Sequence, residues 1–213
     1  MANFKDLPFH TRPDLSPYLV HLTKRSDEGG GERNAFSNLV DILLEGKLIG
    51  SDRTGFIKGS IPATCFMDIP ISALKHVLNE DNTNPMRPRY EPYGIVLSKP
   101  VAYQNGCRPV LYLSDDEITS LRIPDAEIWR VVKLQVNECG SNWISWMHER
   151  EWRVRGDFKL PRQVVAVLVK DLDDVKAFNE KMAERPLEFN STPLSVIPLE
   201  VVCDGLPYLA NES

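Results

Sequence analysis

YLVHLTKRSDEGGGERNAFSNLVDILLEGKLIGS, residues Tyr18 to Ser51, holds the succession on which the fold turns. Tyr18–Thr23 is short, apolar and rich in residues that favour extended backbone, and it predicts a strand. Lys24 to Arg33 combines charge with three consecutive glycines, Gly29 to Gly31, and predicts an exposed loop. Phe36, Leu39, Val40, Leu43 and Leu44 then recur at i, i+3, i+4, i+7 and i+8, which is one apolar stripe on a helix, and Gly46 follows as its C-cap. Such a stripe must be covered, so the segment predicts a helix packed on a sheet.

Residues 1 to 17, with several prolines, read as an irregular lead-in. Ile61 to Met67 predicts a strand, and Asp68-Ile69-Pro70 opens a second helix that runs through His76 to Leu78, with Pro70 in its first turn. Asn79 to Pro92 is polar and proline-rich, a long loop of the kind that often carries function. Tyr93 to Ser98 and Arg108 to Ser114 read as strands around a short turn or helix. Between Asp115 and Val136 the signal is mixed: SDDEITSL reads as a short helix, and IWRVVKLQV fits either helix or strand. Trp152 to Arg155 and Gln163 to Lys170 predict strands, Asp173 to Glu184 a helix, and Ser195 to Val202 a last strand. About seven short strands with three or four helices, and no regular βαβ alternation, predict an α+β fold with a split or curved mixed sheet. A length of 213 residues with 42% hydrophobic content suits one domain.

Thirty acidic residues against twenty-five basic ones give a net charge of −5, which excludes a broadly basic, nucleic-acid-coating surface. A local groove is still open to Arg87, Arg89, Arg108, Arg150, Arg153 and Arg155. The first twenty residues contain no apolar signal core, and no run is long enough to span a membrane. Cys65, Cys107, Cys139 and Cys203 form no C-x-x-C pair and predict buried free thiols, hence a reducing, cytoplasmic setting. His10, His21, His76 and His148 lack ligand spacing, so no metal site is expected. There is no phosphate-binding glycine loop and no G-x-S-x-G elbow.

Three groups of residues can carry chemistry. His21 and Thr23 stand two apart on the first strand, so an imidazole and a hydroxyl share one face. Taken alone, a strand histidine is more often a core residue with a satisfied hydrogen bond. The second group is Thr64-Cys65-Phe66-Met67-Asp68 with Ser72 beyond it, equally readable as a buried strand whose Asp68 caps the next helix. The third is His148-Glu149-Arg150-Glu151-Trp152-Arg153-Val154. If extended, Glu149 and Glu151 share a face, and their repulsion raises the proton affinity of one of them. The plainer account is an exposed charged turn with Arg150 and Arg153 as ion-pair partners. Trp143, Trp146 and Trp152 crowd these charges and favour a pocket wall.

Taken in order, these pieces resemble the His–Tyr–Glu branch of the ADP-ribosyltransferase superfamily. The stretches VHLT (Val20–Thr23), NLVDILLEGKLIGS (Asn38–Ser51), TCFMDIPISALKHVL (Thr64–Leu78), YEPYGIVLSK (Tyr90–Lys99), RPVLYLS (Arg108–Ser114) and HEREWRV (His148–Val154) are similar to the AbiGi group of abortive phage-infection proteins. The resemblance spans residues 18 to 170 and lies in the order of short motifs. It implies an ADP-ribosyltransferase-like fold that takes NAD as substrate and needs no metal. His21 is then expected to hydrogen-bond the adenosine-side ribose, Thr23 to support the ring or the nicotinamide end, and Ser72 to complete the cofactor-binding set. Phe66 and Tyr93 are expected to stack on nicotinamide. Glu151 is expected to bind the nicotinamide ribose and stabilise positive charge as the glycosidic bond breaks. Glu149, counted with Glu151 and His21 as catalytic, or Arg108 would orient the acceptor, and Arg150 is a further substrate-binding residue. The branch carries Tyr where Cys65 or Phe66 stands here, a departure that bears on stacking.

The implied function is a mono-ADP-ribosyltransferase toxin of a phage-defence or toxin–antitoxin system. Its acceptor is a macromolecule, with RNA or DNA favoured over protein by Arg87, Arg89, Arg150 and Arg155, and a cognate antitoxin is an expected partner. Two other readings stand beside it. One is a non-catalytic antitoxin or sensor that keeps the fold, motivated by the missing Tyr. The other is a metal-independent nuclease using His148 and the two glutamates.

Overall fold

The computed structural model describes residues 12, 14–26, 33–52, 57–136 and 143–210; His10, Cys139 and the three glycines at 29 to 31 lie outside the described residues. The chain is a mixed α+β protein, with short strands in small mixed sheets and six α-helices among the described residues. It forms two compact units.

The first unit comprises the described residues of Met1–Lys47, Ile69–Lys99 and Lys159–Ser213. Its centre is a four-stranded sheet in the order Tyr18–Thr23, Tyr93–Ser98, Ala166–Val169, Val196–Pro198. The first two pairings are antiparallel and the last is parallel. All four residues of Ala166–Val169 are buried, which is why that segment reads as a continuous apolar run with no alternation. The helix Ala35–Glu45 forms where its stripe predicts: Asn34 accepts from the Ser37 N–H at 2.8 Å to start it, and Gly46 ends it at φ +67°. The helix Leu172–Glu184 starts on Asp171, whose carboxylate accepts from the N–H groups of Asp173 and Asp174 at 3.0 Å each, and it buries Phe178.

Three expectations change in this unit. The expected strand Gln163 to Lys170 is two, Gln163–Val164, paired in parallel with Thr192–Pro193, and Ala166–Val169. The second helix is a 3-10 turn, Ile71–Ala73, running into Leu74–Val77; it starts at Pro70 with no side-chain cap, so Asp68 does not perform that role. The expected last strand is split into the strand Val196–Pro198 and the helix Leu199–Val202, because Pro198 has no N–H to continue a ladder and suits a helix start.

The second unit comprises the described residues of Leu48–Asp68 and Pro100–Phe158. Trp152–Arg155 is the middle strand of an antiparallel sheet, between Ala63–Phe66 and Arg108–Pro109. The expected strand Arg108 to Ser114 is in fact two. It breaks at Val110, whose N–H donates to the Glu151 carbonyl at 3.0 Å, and Leu111–Leu113 turns away to pair in parallel with Val131–Lys133. IWRVVKLQV resolves into a 3-10 turn, Ile128–Arg130, followed by strands. Ser114 and Glu117 form a reciprocal capping box on the helix Asp115–Ser120. Ile57, Ala63 and Trp129 pack together with Ile61 and Cys65. Among the described residues, no helix is long and apolar enough to cross a membrane.

Candidate active site

In the first unit, strand alternation sets His21 and Thr23 on one face, and the antiparallel register sets Tyr93 directly opposite Thr23 and Ile95 opposite His21. Three of the expected ligand-binding residues are thereby brought together; His21 is half-buried and Thr23 buried. The Tyr93 ring meets the edge of Phe36, with centroids 6.1 Å apart, and its hydroxyl donates to Asp174 at 2.9 Å. An open cleft lies beside it, lined by Arg25, Thr83, Glu91, Tyr93, Lys170 and Leu209. Two of its lining residues, Arg25 and Glu91, pair at 2.9 Å. Ser72 lies exposed on the 3-10 turn. The Asn79 to Pro92 loop is held by its own hydrogen bonds: Asn82 accepts the N–H groups of Arg89 and Tyr90 on its carbonyl at 2.8 and 3.0 Å.

Burial is the main cause that pushes the Asp174 carboxyl above its ordinary value, with the hydrogen bond from Tyr93 opposing it. A raised folded value means that the folded state holds the proton more tightly. Asp174 therefore supports the fold in acid and loses that support as pH rises from about 4 through the folded value. Asp174→Asn keeps an acceptor for Tyr93 and cannot ionise. Its urea midpoint, taken relative to wild type, is expected to improve from pH 4 to pH 7; a flat or falling difference contradicts the assignment.

In the second unit, the acidic segment is not extended as expected. Met147–Glu149 is a 3-10 turn, and Arg150 closes it in the left-handed region at φ +45°, so Glu149 and Glu151 are not the like-charged pair of a strand face. Both acids are buried nonetheless. The partner of Glu151 is Arg153, two residues on and therefore on the same side of the strand: Nε donates to Oε1 at 2.7 Å and Nη2 to Oε2 at 3.2 Å. The plainer reading of this segment thus had the right partner in Arg153 and the wrong exposure, for Arg153 is only 4% exposed and leaves the arginine groove. The Glu151 N–H donates to the Tyr112 hydroxyl at 3.0 Å, a contact for which the strand-like stretch RPVLYLS gives no signal.

Asp68, read as a helix cap, instead accepts the Trp152 indole N–H at 3.1 Å, while its own N–H donates to the Glu149 carbonyl. Phe66 is 1% exposed with its ring edge-on to Phe158, 5.2 Å between centroids, so it has no open face for a nicotinamide. Arg108 caps the end of the helix Lys99–Gln104: Nη1 donates to the Tyr103 and Cys107 carbonyls at 2.7 Å each, and the guanidinium lies 3.7 Å from the Tyr103 ring centre. That engagement is local and weakens Arg108 as an acceptor-binding group. Arg150 is half-buried, and His148 is exposed beside Trp146.

Burial pushes the Cys65 thiol well above its usual value, with the Glu151 charge adding to the effect and Arg153 opposing it. Burial likewise pushes the Cys107 thiol up to about 12. Thiolates are the reactive species. Cys65 is half-buried and Cys107 buried, and iodoacetamide at pH 8, mapped by mass spectrometry, is expected to label both far more slowly in the native protein than in denaturant; equal rates contradict the raised thiol values. Among the described residues, no group of three His, Cys, Asp or Glu could hold a metal ion.

No protein-family model matches the chain, and no curated protein matches it. Among solved structures, DarT of Thermus sp. 2.9 in complex with carba-NAD+ is similar at 13% identity and a TM-score of 0.45, covering 86% of this chain and 96% of that one. The same protein in complex with NAD+ is similar at 14% identity and a TM-score of 0.45, covering 84% and 94%. Overlap at that level is too loose to carry an assignment.

Proposed function

We propose that the chain is a mono-ADP-ribosyltransferase of the AbiGi kind, the toxin of a phage-defence or toxin–antitoxin system, which splits NAD and passes ADP-ribose to a macromolecule. The observation that supports this most is the shared face of His21, Thr23 and Tyr93. In the reaction, the bond between C1′ of the nicotinamide ribose and the pyridinium nitrogen breaks. Its electron pair leaves with nicotinamide and cancels the ring's charge. C1′ carries positive charge until a lone pair of the acceptor closes on it, and the acceptor then gives up a proton to water. Glu151 supplies the fixed negative charge beside that centre. His21 holds the adenosine ribose, Thr23 and Tyr93 support the nicotinamide end, and Glu149 and Arg150 face the acceptor. Arg87, Arg89 and Arg155 favour RNA or DNA as that acceptor, and an antitoxin protein would neutralise the activity in the cell.

Calorimetric titration with NAD is expected to show binding to the wild type. Glu151→Gln should fold, with a lowered melting temperature from the weakened ion pair, and lose about 100–1,000-fold in NAD-dependent labelling of the acceptor. Undiminished labelling in E151Q rejects the reading.

The burial of Phe66 supports one alternative, a non-catalytic antitoxin or sensor, because the one aromatic ring of the two residues, Cys65 or Phe66, that stand where the family has Tyr is closed off. Expression of the chain alone in bacteria separates the two: a toxin arrests growth and an antitoxin does not.

A further inference from the structure

We propose that Arg153 is a positioning residue for the Glu151 carboxylate, an assignment that rests on the reading of Glu151 as the group that stabilises the breaking glycosidic bond. The Arg153 guanidinium is itself held in place. While Nε and Nη2 grip the two oxygens of Glu151, Nη1 donates to the carbonyls of Trp129 at 2.8 Å and Val131 at 3.3 Å. Four donated hydrogen bonds in a planar fork, away from water, leave the group no freedom to swing. The backbone of Glu151 is pinned as well: its N–H donates to the Tyr112 hydroxyl at 3.0 Å, and its carbonyl accepts from Val110 at 3.0 Å. The side chain and main chain of one carboxylate are thus fixed independently, which is more than a charge needs merely to be neutralised.

The same geometry limits what Glu151 can still bind. A carboxylate offers about four acceptor positions, and the guanidinium fork fills one on each oxygen. Cys65, the cross-strand partner of Arg153, directs its thiol to the Ala63 carbonyl at 4.0 Å. Room remains for about two further donors, so Glu151 takes the hydroxyls of one ribose in one orientation. Lysine cannot reproduce this arrangement, because one ammonium on a flexible stem does not span two carboxylate oxygens and two carbonyls.

The test compares wild type with R153K. For NAD cleavage, kcat is expected to fall about 100-fold, the scale of a catalytic group misplaced by an ångström, while the NAD KM stays within about threefold. Wild-type kcat in a folded R153K, or a loss carried by KM alone, overturns the positioning role and leaves the proposed function standing. A wild type that neither binds nor cleaves NAD overturns both. A second measurement uses wild-type protein and so survives a failure of R153K to fold. The Nε–H resonance of Arg153, assigned by triple-resonance NMR, should stay slow to exchange with solvent when NAD is added. Loss of that protection on NAD binding means that the pair opens, and the inference fails.

Discussion

Arg153→Met lowers the stability of the protein by about 3–5 kcal/mol, the cost of stranding one member of a buried ion pair. The expected fall in melting temperature is roughly 6–20 °C for a chain of this length. The reason is bookkeeping of polar groups. Glu151 is 8% exposed, and without the guanidinium its charge loses the cation it is paired with. The carbonyls of Trp129 and Val131 lose their donor at the same time. Methionine fills most of the volume, so the effect is electrostatic and is not a cavity effect. The double variant E151L with R153M is expected to recover part of the loss, because an apolar pair of similar size removes the stranded charge although the two carbonyls stay unmet. Equilibrium urea unfolding measures both. An R153M within 1 kcal/mol of wild type would show that the pair does not hold the Trp152–Arg155 strand in place.

Gly94→Ala is the second large effect. A Cβ at Gly94 would stand 2.5 Å from the carbonyl oxygen of His21 and 3.2 Å from Leu22 Cδ2. The closer atom is backbone in a paired strand and cannot turn aside, so the two strands must separate. Overpacking of this kind costs about 1–3 kcal/mol, and the upper end is expected here. Gly156→Ala is the control: its φ of +71° carries the left-handed penalty of about 1–2 kcal/mol, but nothing lies within 4 Å of the added atom. The urea midpoint of G94A should therefore lie below that of G156A. G94A should also weaken NAD binding, because the displaced backbone is that of His21. Equal midpoints, or unaltered NAD affinity in G94A, would remove the claim that this contact sets the His21 strand.

Much of the frame was legible in the residues. The helix Ala35–Glu45 follows from five apolar residues at helical spacing and a glycine at its end, both local signals. The shared face of His21 and Thr23 follows from a period of two. What was not legible depends on partners far along the chain. Asp68 next to a proline-started turn has the pattern of a cap, but the indole that takes its carboxylate lies 84 residues away. The Arg108 to Ser114 strand breaks because a distant carbonyl claims the Val110 N–H. The Glu149 and Glu151 geometry was hidden for another reason: Arg150 is left-handed, and nothing in an arginine announces that conformation. Arg153 could be named as an ion partner from the sequence, yet its depth could not, since burial is a property of the whole packing. The closed ring of Phe66 is of the same kind, set by Phe158 at the far end of the unit's sequence.

The four-stranded sheet draws its strands from residues 18–23, 93–98, 166–169 and 196–198. A chain leaving the ribosome N-terminus first can join only the first two until the fully apolar Ala166–Val169 emerges, and a lone two-stranded ribbon is barely stable in water. The Tyr93–Ser98 strand, destined for the middle of the sheet, thus waits with an open edge through much of translation, a state in which nascent chains aggregate or recruit chaperones. Closure waits for Val196–Pro198, so termination upstream of Ala166 yields no folded four-stranded sheet.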